Sequence, residues 1–368
     1  MLLCAVLGRA LAAMAQTFST IDTTRFDGDK FAGAAAVGTS VVFAPYNEDL
    51  VGVYDTTTSI FSKSYTTAGV SADSKYAGAA AVGTSVIFAP SNEDSVGVFD
   101  TTNMVSGFSS VETTTAGVSG DYKYRGAAAV GTSVYFAPYN QNSVGVYDTT
   151  TSTFSTIDAN YGVSGGAKYY GAAAVGTSVI FAPHSQDNVG VYDTTTSTFS
   201  KIDTTAAGVS GDYKYRGAAA VGTSVIFAPS NQDNVGVFDT TTSTFSTIDI
   251  SSVSTADSKY WGAAVVGTSV IFAPNNEDNV GVFDTTTSTF STIDISSVST
   301  ADSKYWGAAV VGTSVIFAPF NEDSVGVLVL SSTSSSAGDD PTFIGADGLP
   351  YEVRGEAWKY FNLLSTPT

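Results

Sequence analysis

The phrase GAAVVGTSV, Gly262 to Val270, decides the architecture, because in the form G-A-A-x-V-G-T-S-V it occurs seven times. Its first glycine falls at Gly33, Gly78, Gly126, Gly171, Gly217, Gly262 and Gly307, at intervals of 45, 48, 45, 46, 45 and 45 residues. Each unit holds four short β-prone pieces. In the sixth these are GAAVVG (262–267), SVIFAP (269–274), VGVFD (280–284) and TFSTID (289–294), here called strands a to d. Both faces of these pieces are apolar, as they must be if each small sheet is covered by a neighbour on either side. Seven such units predict an all-β chain folded as a seven-bladed β-propeller of four-stranded blades, with a solenoid as the alternative.

Strand a is almost wholly Gly, Ala and Val. Blades converge on a central axis, so the innermost strand has room only for small side chains, and bulk such as Phe272, Phe283 and Phe290 belongs further out. The last a-b-c set, from 307 to about 330, has no strand d of its own, whereas the chain opens on TFSTID at Thr17 to Asp22. The first strand is therefore predicted to complete the last blade, which leaves no open sheet edges between the ends of the ring.

With 43% hydrophobic and 13% charged residues, the 368-residue chain suits one large domain rich in strands and turns. A net charge of −19 without any basic block argues against nucleic-acid binding. The single cysteine, Cys4, excludes an internal disulfide and a thiolate metal site. The opening MLLCAVLGRALAAMA ends in the small-x-small pattern Ala13-Met14-Ala15, so residues 1–15 read as a secretory signal cleaved before Gln16. No segment is apolar for long enough to span a bilayer as a helix. The expected division is thus a signal at 1–15, the ring at 16–330, a Ser-rich linker at 331–340 and a tail at 341–368.

The pieces SVIFAP, VGVYD at 189–193 and STF at 197–199 follow one another as in Kelch-type repeats, which the units resemble. The double glycine that follows strand b in Kelch repeats is Ala-Pro here, and the outer tryptophan is Phe. The tail resembles the opening of a truncated von Willebrand factor D-like module through Asp340, Pro341, Phe343, Gly345, Asp347, Gly348, Tyr351, Gly355, Phe361 and Asn362, without that module's cysteines. This resemblance implies an extracellular setting. Copper-radical oxidases built on Kelch rings use paired histidines and a cysteine, which the folded part of this chain does not contain.

Catalytic signals are sparse. His184 is the single histidine, read as a polar surface residue of a loop, and no nucleophile elbow, P-loop or EF-hand loop is present. The chain is accordingly expected not to be an enzyme. The b–c loops (YNEDL, SNEDS, YNQNS, HSQDN, SNQDN, NNEDN, FNEDS) carry a total charge of −10, and each d–a loop on the same face carries one lysine, from Lys30 to Lys304. A solvated girdle of loop-to-loop ion pairs is expected, with calcium held between neighbouring acidic loops as the alternative. No other cofactor is indicated.

Units six and seven share 29 identical residues (246–274 and 291–319), so the informative signal is where units differ. The a–b turn is V-G-T-S in all seven, and c–d turns are mostly D-T-T-T. On the opposite face, the residue before the strand-a glycine runs Ala32, Ala77, Arg125, Tyr170, Arg216, Trp261, Trp306, and the residue after Ala-Pro runs Tyr46, Ser91, Tyr139, His184, Ser230, Asn275, Phe320. Trp, Tyr and Arg anchor interfaces. Arg125, Tyr170, Arg216, Trp261 and Trp306, ringed by Tyr139, His184 and Phe320, are therefore the expected binding residues at the channel mouth. The expected function is a monomeric, extracellular recognition propeller binding a protein or glycan through the b–c and d–a loops. The alternatives are an intracellular Kelch-like adaptor and, third, a channel-sited enzyme.

Overall fold

The computed structural model describes residues 15–23, 29–65, 70, 72–158, 165–331, 342–344 and 350–352. The chain divides into two compact units, Gln16–Leu330 and a second one formed by Met1–Ala15 with Ser331–Thr368. In the second unit only a two-stranded pair, Thr342–Ile344 with Pro350–Glu352, is described. The signal-peptide reading, the serine-rich linker and most of the von Willebrand-like positions lie outside the described residues.

The first unit is seven antiparallel four-stranded sheets. Blade 6 shows the pattern, with a at Tyr260–Val266, b at Ser269–Pro274, c at Asn279–Asp284 and d at Thr289–Asp294. Blade 7 pairs Tyr305–Val311, Ser314–Pro319 and Ser324–Ser331 with the first strand, Ala15–Asp22, lying beside its strand c. The predicted closure is therefore observed, and Thr23 fastens it by donating its backbone N–H and its hydroxyl to the Asp323 carbonyl, at 3.0 and 2.8 Å. Among the described residues no helix is long and apolar enough to cross a membrane.

Strand a begins two residues before the expected glycine, and the reason is a bulge. In blade 6 Tyr260 pairs with Pro274 and Ala263 with Phe272, so Trp261 and Gly262 drop out of the ladder; blades 1 to 5 repeat this break, and in blade 7 Trp306 alone drops out while Gly307 pairs with Ala318. In every blade the glycine touches the next blade. A Cβ on Gly126 would stand 2.6 Å from the Tyr170 carbonyl oxygen, and one on Gly307 would stand 2.6 Å from that of Ala32, which closes the circle. Only hydrogen fits there, which explains the seven glycines.

Each blade holds its own aromatic trio. Tyr260, Phe272 and Phe290 of strands a, b and d close around Gly281 of strand c, whose missing side chain leaves space for the three rings. Burying each ring stabilises the fold by about 1.5–3 kcal/mol, with aromatic pairing adding about 0.5–1.5 kcal/mol per pair. Blade 7 builds the same trio from Tyr305, Phe317 and Phe18, the last borrowed from the first strand. In the c–d turns an aspartate ties the backbone as its position suggests: Asp284 Oδ1 accepts from the Thr286 N–H at 2.8 Å and the Thr286 hydroxyl at 2.6 Å. The Thr286 hydroxyl, foremost, holds the Asp284 carboxyl below its usual range.

Candidate functional site

The seven inner positions freed by the bulge line one chamber of about 120 Å³ at the mouth of the channel, together with the glycines and alanines that follow them. Below it the channel becomes a tube walled by alanine and valine alone. Bulk is unevenly placed. Blades 1 and 2 contribute Ala32 and Ala77, whereas blades 3 to 7 contribute Arg125, Tyr170, Arg216, Trp261 and Trp306.

These five residues meet in one continuous cluster. The Trp261 and Trp306 ring centroids are 4.0 Å apart, and Trp306 stacks nearly parallel on Phe320. The Arg216 guanidinium lies 3.2 Å from the Trp261 ring centroid and 4.9 Å from that of Tyr170. Arg125 faces Tyr122, Tyr139, Tyr170 and Tyr46 at 4.9, 5.0, 5.5 and 5.8 Å, and its Nη1 donates to the Tyr46 hydroxyl at 3.3 Å. Tyr46 closes the circuit against Trp306 and Phe320.

All eight expected residues are thus brought together, but three partners were missed. Tyr46 stood in the outer tier of variable positions and was passed over. Tyr122 and Tyr213 sit in GDYKY segments where units two, six and seven read ADSKY, a unit-to-unit difference that could have exposed them. Both occupy left-handed backbone, at φ 52° and 57°, a conformation that costs a residue with a Cβ about 1–2 kcal/mol. Both remain more than a third exposed beside the mouth.

Two expectations about charge are corrected. His184 is not a surface residue: it is fully buried, between Tyr139, Tyr170 and Tyr213. Burial, reinforced by the Arg216 charge, pushes its pKa down to about 3, so the ring is neutral at ordinary pH. Its Nδ1 lies 3.2 Å from the Ala167 carbonyl, which assigns the proton to Nδ1 and leaves Nε2 a buried acceptor with no partner.

The girdle, too, is solvated only on its aspartate side. The loop lysines are at most 1% exposed, and each reaches back to the b–c loop of the preceding blade. Six make ion pairs at 2.8–3.1 Å: Lys30–Asp323, Lys75–Asp49, Lys123–Asp94, Lys214–Asp187, Lys259–Asp233 and Lys304–Asp278. For the seventh, Lys168, the preceding loop carries Asn142 where the others carry aspartate, and the lysine donates to the Asn140 carbonyl at 3.1 Å instead. Burial holds Lys168 below the usual lysine range. The loop aspartates are thus engaged by lysines, and among the described residues no three His, Cys, Asp or Glu side chains converge.

The chamber's electrostatics are set by Arg125 and Arg216, the two arginines among the described residues. Neither forms an ion pair, and Arg125 is only 8% exposed. Burial lowers the Arg216 pKa, with the Arg125 charge acting in the same direction. A cation over an aromatic face gains about 0.5–2 kcal/mol, whereas burying an ion costs several kcal/mol. The aromatic faces therefore compensate the Arg216 charge only in part, whereas at Arg125, where burial acts to lower the pKa, Tyr170, Tyr46 and Tyr139 outweigh it and hold the guanidinium above its usual range. Four N–H groups on the chamber wall are also buried without a partner: Arg125 Nε, Arg216 Nε, Trp261 Nε1 and Trp306 Nε1.

No family model matches the chain, and no curated protein sequence matches it. The ring is similar to solved structures. One is selenomethionine-substituted virginiamycin B lyase from Staphylococcus aureus, with 13% identity and TM-score 0.67 over 86% of this chain and 100% of that one. A streptogramin B lyase gives 16% and 0.69 over 88% and 100%. A chain of a mitotic checkpoint complex gives 13% and 0.63 over 88% and 94%. Identities this low establish fold alone. They nevertheless correct the expectation that the chain is not an enzyme, because lyases are built on rings of this shape and the fold gives no ground for setting catalysis aside. Geometry and comparisons together identify a seven-bladed β-propeller.

Proposed function

We propose that the chain is an extracellular recognition propeller that takes a protein or glycan ligand at the channel mouth, on the face formed by the b–c and d–a loops. The observation that carries this reading is the coincidence of two patterns. Near-identical units differ chiefly at the positions that converge on the mouth, and there they supply Trp, Tyr and Arg, the side chains that dominate binding energy. The opposite face repeats the same turns from unit to unit. The resemblance of the units to Kelch repeats supports the same use of the ring.

The test is a binding screen of the full chain against glycan arrays and extracellular proteins, followed by comparison of two double variants. Trp261→Phe with Trp306→Phe should weaken the ligand by about 1–2 kcal/mol, whereas Thr195→Ala with Thr286→Ala in the c–d turns should leave it unchanged. Phenylalanine is used because Trp261 is buried, so truncation to alanine would cost stability as well. Loss of binding from the turns alone would place the site on the other face. Expression in a secreting host should yield a protein beginning at Gln16, and retention of Met1 in the product would remove the extracellular part of the proposal.

A further inference from the structure

The two unpaired arginines of the mouth have no role in holding the ring together that the rest of the molecule would predict. Elsewhere buried cations are given a counter-ion wherever the sequence provides one: six of the seven junction lysines meet an aspartate at 2.8–3.1 Å. The chain carries 34 Asp and Glu residues against 15 Lys and Arg, so carboxylates are abundant. Yet the chamber wall contains none: its 21 residues are Gly, Ala, Trp, Tyr and the two arginines. Positive charge, an empty space of about 120 Å³ and four N–H groups without an acceptor on its wall residues are thus gathered in one place, while Arg125 Nη1 donates to the Tyr46 hydroxyl.

We infer that the chamber binds an oxyanion, a carboxylate, sulfate or phosphate at the end of a ligand, held by Arg125 and Arg216 with the indole N–H groups of Trp261 and Trp306 as further donors. The inference rests on the mouth being the binding site and names the chemistry it selects. Charge-assisted hydrogen bonds from guanidinium to oxyanion are the strong class of such bonds. An anion would supply the compensation that the aromatic faces give Arg216 only in part. Space is limited: the chamber is several times the size that one water requires, so it admits one small group and leaves the remainder of the ligand outside among Tyr122, Tyr139 and Tyr213.

The experiment is calorimetric titration and thermal denaturation of the full chain with sodium glucuronate, inorganic phosphate and sodium sulfate, with glucose as the neutral control. Wild type should bind at least one of the three anions saturably and gain several degrees in Tm at saturation, as linkage requires. The arm that binds identifies carboxylate, phosphate or sulfate as the source. Arg125→Met with Arg216→Met should lose that binding at least tenfold, lose the Tm gain, and melt no lower than wild type without anion, since an uncompensated buried charge has been removed. Arg125→Lys with Arg216→Lys keeps the charge and should retain part of the affinity. Absence of saturable binding by every anion, or equal anion binding by wild type and the methionine variant, would overturn the inference. If the Trp261 and Trp306 variants still lose a protein or neutral glycan ligand in that case, the mouth remains a recognition site and only its anion chemistry falls.

Discussion

Phe18 and Tyr305 meet edge to face, their ring centroids 6.3 Å apart at 62°, and this contact joins the first strand of the ring to the first strand of its last blade. Blade 7 has no other strand to supply the third ring of its trio, so Phe18 is to blade 7 what Phe290 is to blade 6. Phe18→Ala should therefore cost about 2–4 kcal/mol and lower the Tm by several degrees, close to the loss from Phe290→Ala. A midpoint unmoved by Phe18→Ala but lowered by Phe290→Ala would show that the opening strand does not carry the last blade.

Asn142 leaves Lys168 as the junction lysine without a carboxylate, and the difference can be repaired. Asn142→Asp should restore a seventh ion pair and stabilise the ring by about 1 kcal/mol at neutral pH, a modest figure because the matching aspartates elsewhere are 44–73% exposed. The sign of the pH effect follows from burial. The folded pKa of Lys168 is depressed, so the folded state holds fewer protons than the unfolded chain in the alkaline range. Stability carried by this group accordingly rises as pH climbs from the folded pKa towards the ordinary lysine value. Subtracting the Asn142→Asp curve from the wild-type curve isolates it, and a flat difference would mean that Lys168 is well solvated.

His184 makes the opposite test on the acid side. Its pKa of about 3 lies below the ordinary value, so the folded state resists protonation and the stability that this group lends is complete above about pH 6.5 and is lost as pH falls towards 3. By pH 5 the loss should reach about 2 kcal/mol. His184→Gln should remove that slope between pH 6.5 and 5, a window above the ordinary titration of most carboxylates. Chemical denaturation of both proteins across the window measures it, and parallel curves would refute the assignment.

The bulge glycines are predicted to tolerate nothing larger. Gly126→Ala places a Cβ 2.6 Å from the Tyr170 carbonyl oxygen and 2.7 Å from the Ala172 nitrogen, both backbone atoms of the neighbouring blade. Two blades must separate to admit it, at a cost of roughly 3 kcal/mol or more. Denaturation midpoints and the soluble yield report the outcome. An unchanged midpoint would show that the ring has slack at this joint.

The ring itself was legible because its signal is redundant: a phrase repeated seven times, with a stray TFSTID at the start, leaves little freedom in blade number or closure. The inner tier was legible for the complementary reason, since against an almost constant background Arg125 and Trp261 stand out. What could not be read was depth. A lysine in an acidic loop looks solvated in sequence, and only the stacking of one blade's loop on the next shows Lys123 reaching Asp94 from a fully buried stem. His184 was misjudged for the same reason. Tyr122 and Tyr213 depend on a left-handed turn that no local residue preference announces. The absence of a recognisable catalytic motif was weaker ground than it looked, because a channel assembles its wall from residues some 45 positions apart.

In chain order the chamber wall spells Ala, Ala, Arg, Tyr, Arg, Trp, Trp, one letter per blade. Every letter is mounted on the same strand and the same bulge, so the spelling is separable from the page on which it is written. Exchanging whole units would permute the letters while leaving each joint between neighbours nearly as before. A copy of unit six in place of unit two, for example, would exchange Ala77 for tryptophan. Selectivity then belongs to the order of the word, a property that no single blade possesses, and a library of reshuffled rings would sample new words on one unchanged scaffold.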